Sequence, residues 1–261
     1  EDGIRDPLWS RGLGDVYKRQ ILNGKPKAML EICGKTLLEH QISALNNSNL
    51  KDITVIAGYG RNQMQAKGIT ILENLDFKNG SALNSLFIGK EKMTNGFIML
   101  YADILMKDEI IKELMSRQED IILVADNSTQ YHKPQEGNVL DFIIGKNQHK
   151  RTRREIRFAS ENVVAQIGSK INPETASHEF IGLAKFSKTG AEQLIETYND
   201  VVKNYQGQFQ ESEDISRLNL TDLIQEMIDR GFIVHYMEIH KGWLEIHNAE
   251  HIALAEKSFS E

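Results

Sequence analysis

"GFIMLYADILMKDEIIKELMSRQEDIILVAD", Gly96–Asp126, decides how the fold is read. Its first eight residues read as a buried strand, "KDEIIKELMSR" as an amphipathic helix, and "DIILVAD" as a second buried strand. Strand, helix and strand in one short run make a β-α-β unit, in which parallel strands are covered by the connecting helix. The first strand also delivers a carboxylate, Asp103, at its carboxyl end, where open α/β sheets collect their ligands.

The same alternation continues on both sides. Upstream, "KTLLEHQISAL" places Leu37, Leu38, Ile42 and Leu45 on one helical face, and "ITVIAGYG" is a buried strand stopped by Gly58. "ITILEN" reads as another strand, and Ser81 opens a helix, "SALNSLFIGKEKM", with Leu83, Leu86 and Phe87 inward. Downstream, Asn127 to Glu161 is polar and carries the basic run "KNQHKRTRREIR", read as a solvated hairpin or loop rather than a phosphate-binding arm. "NVVAQIG" and "EFIGLAKFS" return to strand, "GAEQLIETYNDVVKNY" and "TDLIQEMIDRG" to helix, "IVHYMEIH" to strand and "NAEHIALAEKS" to helix. The expected fold is α/β, a Rossmann-like mixed, mostly parallel sheet with helices on both faces. No Pro-, Gly- or Ser-rich linker divides it, so residues 21–261 read as a single domain, with a substrate lobe formed mainly by 127–220.

Composition excludes several classes. A formal net charge of -6 argues against a general nucleic-acid surface. Cys33 is the single cysteine, which rules out an internal disulfide and a cysteine-based zinc site and fits a reducing, cytoplasmic setting. No apolar run reaches the ~18 residues of a membrane span. A dehydrogenase reading would rest on "GLG" at Gly12–Gly14, which lacks a third glycine and a preceding strand.

Three features offer chemistry. Asp103 suits Mg²⁺, a hard ion that takes oxygen ligands and shares them with phosphates, although a loop or N-cap aspartate is an equal reading of its spacing. "KPKAML" presents Lys25 and Lys27 around Pro26, either as a surface pair or as a lysine aimed by the proline. "WLEIHNAEH" puts Glu245 and His247 on one face of a strand, an arrangement able to bind metal but weak alone.

Taken in order, "NGKPKAMLEICGKTLLEHQISAL", "ITVIAGYG", "SALNSL", "FIMLYADIL", "EFIGLAKFS", "LTDLIQEMIDRG" and "GWLEIHNAEH" resemble the nucleotidyltransferases that activate small phosphorylated or phosphonylated compounds. The nearest likeness is to the cytidylyltransferases of phosphonate biosynthesis associated with phosphoenolpyruvate mutase; phosphocholine and sugar-1-phosphate nucleotidyltransferases are more distant. The resemblance, from about Ile21 to Ala255, implies the nucleotide-diphospho-sugar transferase type of fold. It implies transfer of CMP from CTP to an acceptor such as 2-aminoethylphosphonate, with Mg²⁺ as cofactor and neither nucleic acid nor membrane as partner. A nucleotide-binding regulator that has lost a metal ligand is the alternative of another class.

The resemblance also implies roles. Lys27 matches the lysine of a "PK" signature that touches nucleotide phosphates, and Asp103 a metal-binding aspartate, with Ala102 in place of the usual glycine. Asn84 and Ser85 fall where the family packs a helix start near the base. Glu179 and Asp222 fall near the acceptor; a strand-edge carboxylate and a helix N-terminal charge, with no role in binding, are equal readings of the two positions. Many relatives read "EIDT" where this chain reads "EIHN", so His247 stands at a metal-binding aspartate's position; the expectation is a metal site of Asp103 and Glu245 with His247 nearby, and Mn²⁺ as the alternative ion. Carboxylates suit a primary ammonium, whereas a quaternary ammonium wants an aromatic cage, for which Trp243, Phe180 and Tyr131 are candidates.

Family members begin with a buried strand and a GxGxRLxPLT loop ahead of the residues matching "NGKPKAML". Here the match stops at Gln20, and "DVYKRQ" is what GATGTGTATAAGAGACAG encodes, a sequence resembling the transposon end used in preparing sequencing libraries. The expectation is that 1–20 is adapter-derived, that the first strand and the triphosphate loop are missing, and that the chain as written is nearly inactive.

Overall fold

The computed structural model describes residues 25–64, 66–78, 80–128, 140–146, 162–247 and 249–259. The segment 1–20, Tyr131 and most of the basic run lie outside the described residues. In chain order the elements are β1 (Glu31–Ile32), β2 (Lys35–Thr36), α1 (Leu37–Asn47), β3 (Ile53–Ala57), β4 (Ile69–Glu73), α2 (Ala82–Ile88), β5 (Phe97–Leu100), β6 (Ile104–Met106) and α3 (Asp108–Ser116). They continue with β7 (Ile121–Asp126), β8 (Phe142–Gly145), β9 (Val164–Gly168), β10 (His178–Phe186), α4 (Lys188–Asn204), α5 (Leu220–Asp229), β11 (His235–Ile239), β12 (Trp243–Glu245) and α6 (Ala249–Ser258).

Local chemistry sets several boundaries. Thr36 and Glu39 close a capping box on α1, and the Ser81 hydroxyl accepts the Asn84 N–H at the start of α2, as its sequence position predicts. The main sheet runs β11-β7-β10-β8-β9, and β5 also pairs with β10. β11 is parallel to β7, while β10 is antiparallel to β5, β7 and β8. Thus β5, β7, β8 and β11 share one direction, and the reversed β10 lies among them.

Alternation along β7 divides the core. Ile121, Leu123 and Ala125 join the layer packed under α4 and α5, and Ile122 and Val124 join the layer under α1 and α3. Both faces of the sheet are therefore covered by helices, as expected. The polar stretch 127–161 differs from its reading: Phe142–Gly145 forms β8, which pairs with both β10 and β9. Four residues among polar neighbours carry too little pattern to be seen as a strand; pairing on two sides makes them one. Among the described residues β3 bonds only to β4 and β5 only to β10, and most of β3 is half-buried where β7 is buried throughout.

Two devices shape the cavity at the strand ends. The β10 register slips between Phe180 and Ala184, a bulge that contains Gly182 at φ +79°. A Cβ there would stand 2.4 Å from the Tyr101 ring, so glycine lets the ring lie against the bulge. The second device is β12, which pairs antiparallel with β6 and sets Glu245 opposite Ile104.

Candidate active site

A cavity of about 220 Å³ opens at these strand ends, and Lys27, Asp103, Glu179, Trp243, Glu245 and His247 all line it. Lys27 is held from behind. Pro26 is buried and a Cβ on Gly60 would come 2.4 Å from its ring, while Ala28 packs with Leu38 and Ile42. The Met29 N–H donates to the Pro26 carbonyl at 2.9 Å, closing the short turn that presents the lysine.

Lys27 Nζ donates to Asp103 Oδ2 at 3.1 Å and lies 3.4 Å from His247 Nδ1. On the imidazole's other side, Nε2 is 2.7 Å from Glu245 Oε2. An ammonium only donates and a carboxylate only accepts, so this arrangement places the ring proton on Nε2 and leaves the Nδ1 lone pair facing the cation. The Ile246 N–H donates to the Asp103 carbonyl at 2.8 Å, fastening the segment that carries Glu245 and His247 to the loop that carries Asp103. One ligand atom from each of Asp103, Glu245 and His247 lies within 4.8 Å of the others. Two carboxylates and an imidazole nitrogen, gathered around a position that attracts an ammonium, fit a divalent cation.

The same cavity also holds carboxyls of a different kind. Glu179 is 7% exposed, and its carboxyl has no hydrogen-bond or ion-pair partner among the described residues. Its pKa is pushed up to about 8, by burial first and then by Glu245, Asp126 and Asp141. Asp141 rises to about 7, again by burial first and then by Glu211, Asp222 and Glu245, against a hydrogen bond with Thr221. Tyr101, Phe180 and Trp243 wall the space around these carboxyls. The Trp243 ring is itself fixed, because its N–H donates to Asp126 Oδ2 at 2.7 Å. Asp126 also accepts from the Ser128 N–H and hydroxyl and from the Lys241 N–H, so its buried carboxylate is satisfied.

Three expected residues sit elsewhere. The α2 start reaches the cavity through Ala82, whereas Asn84 donates to the Ser216 carbonyl and Ser85 accepts from Asn74. Asp222 closes the capping box of α5 and accepts from the Glu211 and Asn219 N–H groups and the Ser212 hydroxyl. It lines a second, polar hollow with Gln166 and Glu211, not the main cavity. Sequence reasoning missed Asp141, Asp126 and Tyr101. A carboxylate directly preceding "FIIG" was the available signal for Asp141; nothing in the sequence marked Asp126 as the anchor of a tryptophan 117 positions away.

Residues 21–165, more than half of the chain, match the MobA-like NTP transferase domain. The CTP:phosphoglutamine cytidylyltransferase of Campylobacter jejuni is 21% identical over 87% of this chain and 89% of its own length. The choline-phosphate cytidylyltransferase of Streptococcus pneumoniae is 24% identical over 67% of this chain and 79% of its own. In structure, the CTP:phosphocholine cytidylyltransferase of Streptococcus pneumoniae superposes with a TM-score of 0.69 at 17% identity, covering 96% of each chain. The inositol-1-phosphate CTP transferase of T. maritima gives 0.69 at 16% identity over 95% of this chain and 93% of its own. These likenesses establish the nucleotidyltransferase fold. No helix among the described residues is long and apolar enough to cross a membrane.

Proposed function

The chain belongs to the MobA-like NTP transferase family, and on that premise we propose that it transfers a cytidylyl group from CTP to a small amino-bearing phosphonate or phosphate, with 2-aminoethylphosphonate as the reference acceptor. The observation that carries this reading is the lining of the cavity: Lys27 and the Asp103, Glu245 and His247 donors share it with the Glu179 carboxyl, which has no partner among the described residues. An acceptor with an anionic head and an ammonium tail matches both sets of groups. The named activities of the Campylobacter and Streptococcus relatives support CTP as the donor.

In this reaction an acceptor oxygen, already anionic, forms a bond to the α-phosphorus of CTP as the bond to the bridging oxygen breaks, and pyrophosphate leaves with that electron pair. The nucleophile carries no proton to remove, so no general base is needed, and catalysis is positioning plus charge neutralisation. Lys27 would hold the phosphate oxygens. Asp103, His247 and Glu245 would hold a divalent cation, Mg²⁺ or, given the imidazole, Mn²⁺, which when bound supplies Lewis-acid neutralisation of phosphate charge. Glu179 and Asp141 would receive the ammonium between Tyr101, Phe180 and Trp243, and the 127–220 lobe would supply this half of the site.

A primary ammonium uses the hydrogen-bonding capacity of Glu179 and a trimethylammonium does not, so 2-aminoethylphosphonate should exceed phosphocholine and sugar 1-phosphates in kcat/KM. CTP-dependent pyrophosphate release across that panel tests it. The assay should be run on this chain and on a form carrying a relative's first strand and loop ahead of Ile21, which tests the reading of 1–20 as well. Preference for a sugar 1-phosphate would overturn the ammonium reading, and CTP binding with no pyrophosphate release from any acceptor would favour the regulator.

A further inference from the structure

We propose that Lys27 is an internal counter-cation that holds the Asp103, Glu245 and His247 site against divalent metal until nucleotide arrives, so that metal and CTP load together. The inference rests on the reading of those three residues as a metal site, and adds to it a role for a fourth residue. Lys27 Nζ lies within reach of two of the three prospective ligands, 3.1 Å from Asp103 Oδ2 and 3.4 Å from His247 Nδ1. These are the lone pairs that a divalent cation needs, and an ammonium and a metal ion cannot share them at such distances. The imidazole is already turned for the task, with Nε2 held by Glu245 and Nδ1 aimed at the ammonium.

The backbone of Lys27 cannot retreat, since Pro26 is packed on Gly60 and Ala28 is buried with Leu38 and Ile42. Only the side chain can move. In moving it exchanges a carboxylate for water while leaving two like-signed cations close together, an unfavourable step. A triphosphate changes this balance, because its anionic oxygens offer Lys27 new acceptors beside the same site. Nucleotide should therefore raise the affinity for metal, and metal the affinity for nucleotide, by one common factor.

The test is Mn²⁺ binding followed by the loss of the free-ion electron paramagnetic resonance signal, without acceptor and without turnover. Lys27→Met should bind Mn²⁺ at least about tenfold more tightly than the unaltered protein when no nucleotide is present, and Lys27→Arg, which keeps the charge, should stay weak. A non-hydrolysable CTP analogue should tighten Mn²⁺ binding in the form that carries a relative's first strand and loop ahead of Ile21, and have much less effect when that form also carries Lys27→Met. Asp103→Asn should abolish binding in every background. Equal or weaker Mn²⁺ binding by Lys27→Met, with the Asp103 dependence intact, would overturn the counter-cation and leave the metal site standing. No binding by any form would overturn both.

A measurement on the unaltered chain covers failure of the variants to fold. Acylation of lysines, read by mass spectrometry with exposed Lys25 as internal reference, should show Lys27 protected without metal and several-fold more reactive when Mn²⁺ is saturating. Unchanged protection would refute the exchange.

Discussion

Binding of an amino-bearing acceptor should release a proton from Glu179. Burial and the neighbouring carboxylates raise that carboxyl from its ordinary 4.5 to about 8. At pH 7 about one molecule in ten then carries the carboxylate that an ammonium requires, and at pH 9 about nine in ten do. The free energy of deprotonation at pH 7, about 1.4 kcal/mol for one unit, is subtracted from acceptor affinity and vanishes once pH passes 8. Acceptor KM should accordingly fall about tenfold between pH 7 and pH 9, a window that closes near pH 10 as the acceptor's own amine titrates. Titration calorimetry in buffers of different ionisation enthalpy should register close to one proton released per acceptor bound at pH 7. Glu179→Gln should bind weakly with the Glu179-linked pH dependence removed, and the acceptor's phosphonate titration, common to both proteins, cancels in their ratio. A wild-type to Glu179→Gln ratio of KM that stays constant from pH 6.5 to 9, or the absence of proton release, would refute the pairing of Glu179 with an ammonium.

The same carboxyl should make Glu179→Gln more stable than the parent at high pH. Its folded pKa lies above the unfolded value, so its contribution is full below pH 4.5 and lost as pH rises through about 8; a melting temperature higher by roughly 10 °C at pH 9, with little gain at pH 4, is expected. Asp222→Ala should cost about 1–3 kcal/mol in denaturant unfolding, through three donors left without their acceptor, while acceptor KM stays within about twofold; a large KM change with normal stability would return Asp222 to the acceptor site. Gly60→Ala should destabilise more than Gly68→Ala, because both have left-handed backbone but only Gly60 abuts Pro26, and CTP affinity should fall with it as Lys27 shifts. Equal effects at the two glycines would contradict the Pro26 clamp. His247→Asp should move metal preference from Mn²⁺ toward Mg²⁺ in rate assays; an unchanged preference would remove position 247 from the metal site.

The β-α-β alternation of Gly96–Asp126 was legible because buried strands and an amphipathic helix differ in period, and the Ser81 cap because its hydroxyl acts on a backbone N–H three residues away. Lys27 and Asp103 were legible through resemblance, since each sits in a short recognisable motif. Asp222 was not legible for a local reason: a carboxylate at the third position of a helix has the same appearance whether it caps the helix, as it does here, or meets a ligand. β8 was hidden in a polar stretch whose four strand residues gain their meaning from the partners on either side.

By itself, then, the sequence determined the helices and most of the longer strands, their order and the residues able to carry phosphate chemistry, because periodicity, caps and motifs are properties of neighbours along the chain. Only the tertiary structure decided that β10 runs against the strands beside it, that Glu245 and His247 meet Asp103 through β12 and β6, and that Glu179 lies in a cavity with no partner among the described residues. Strand direction and side-chain burial depend on what packs from far along the chain. A raised carboxyl pKa or an imidazole lone pair facing a lysine exists only once those distant segments have come together.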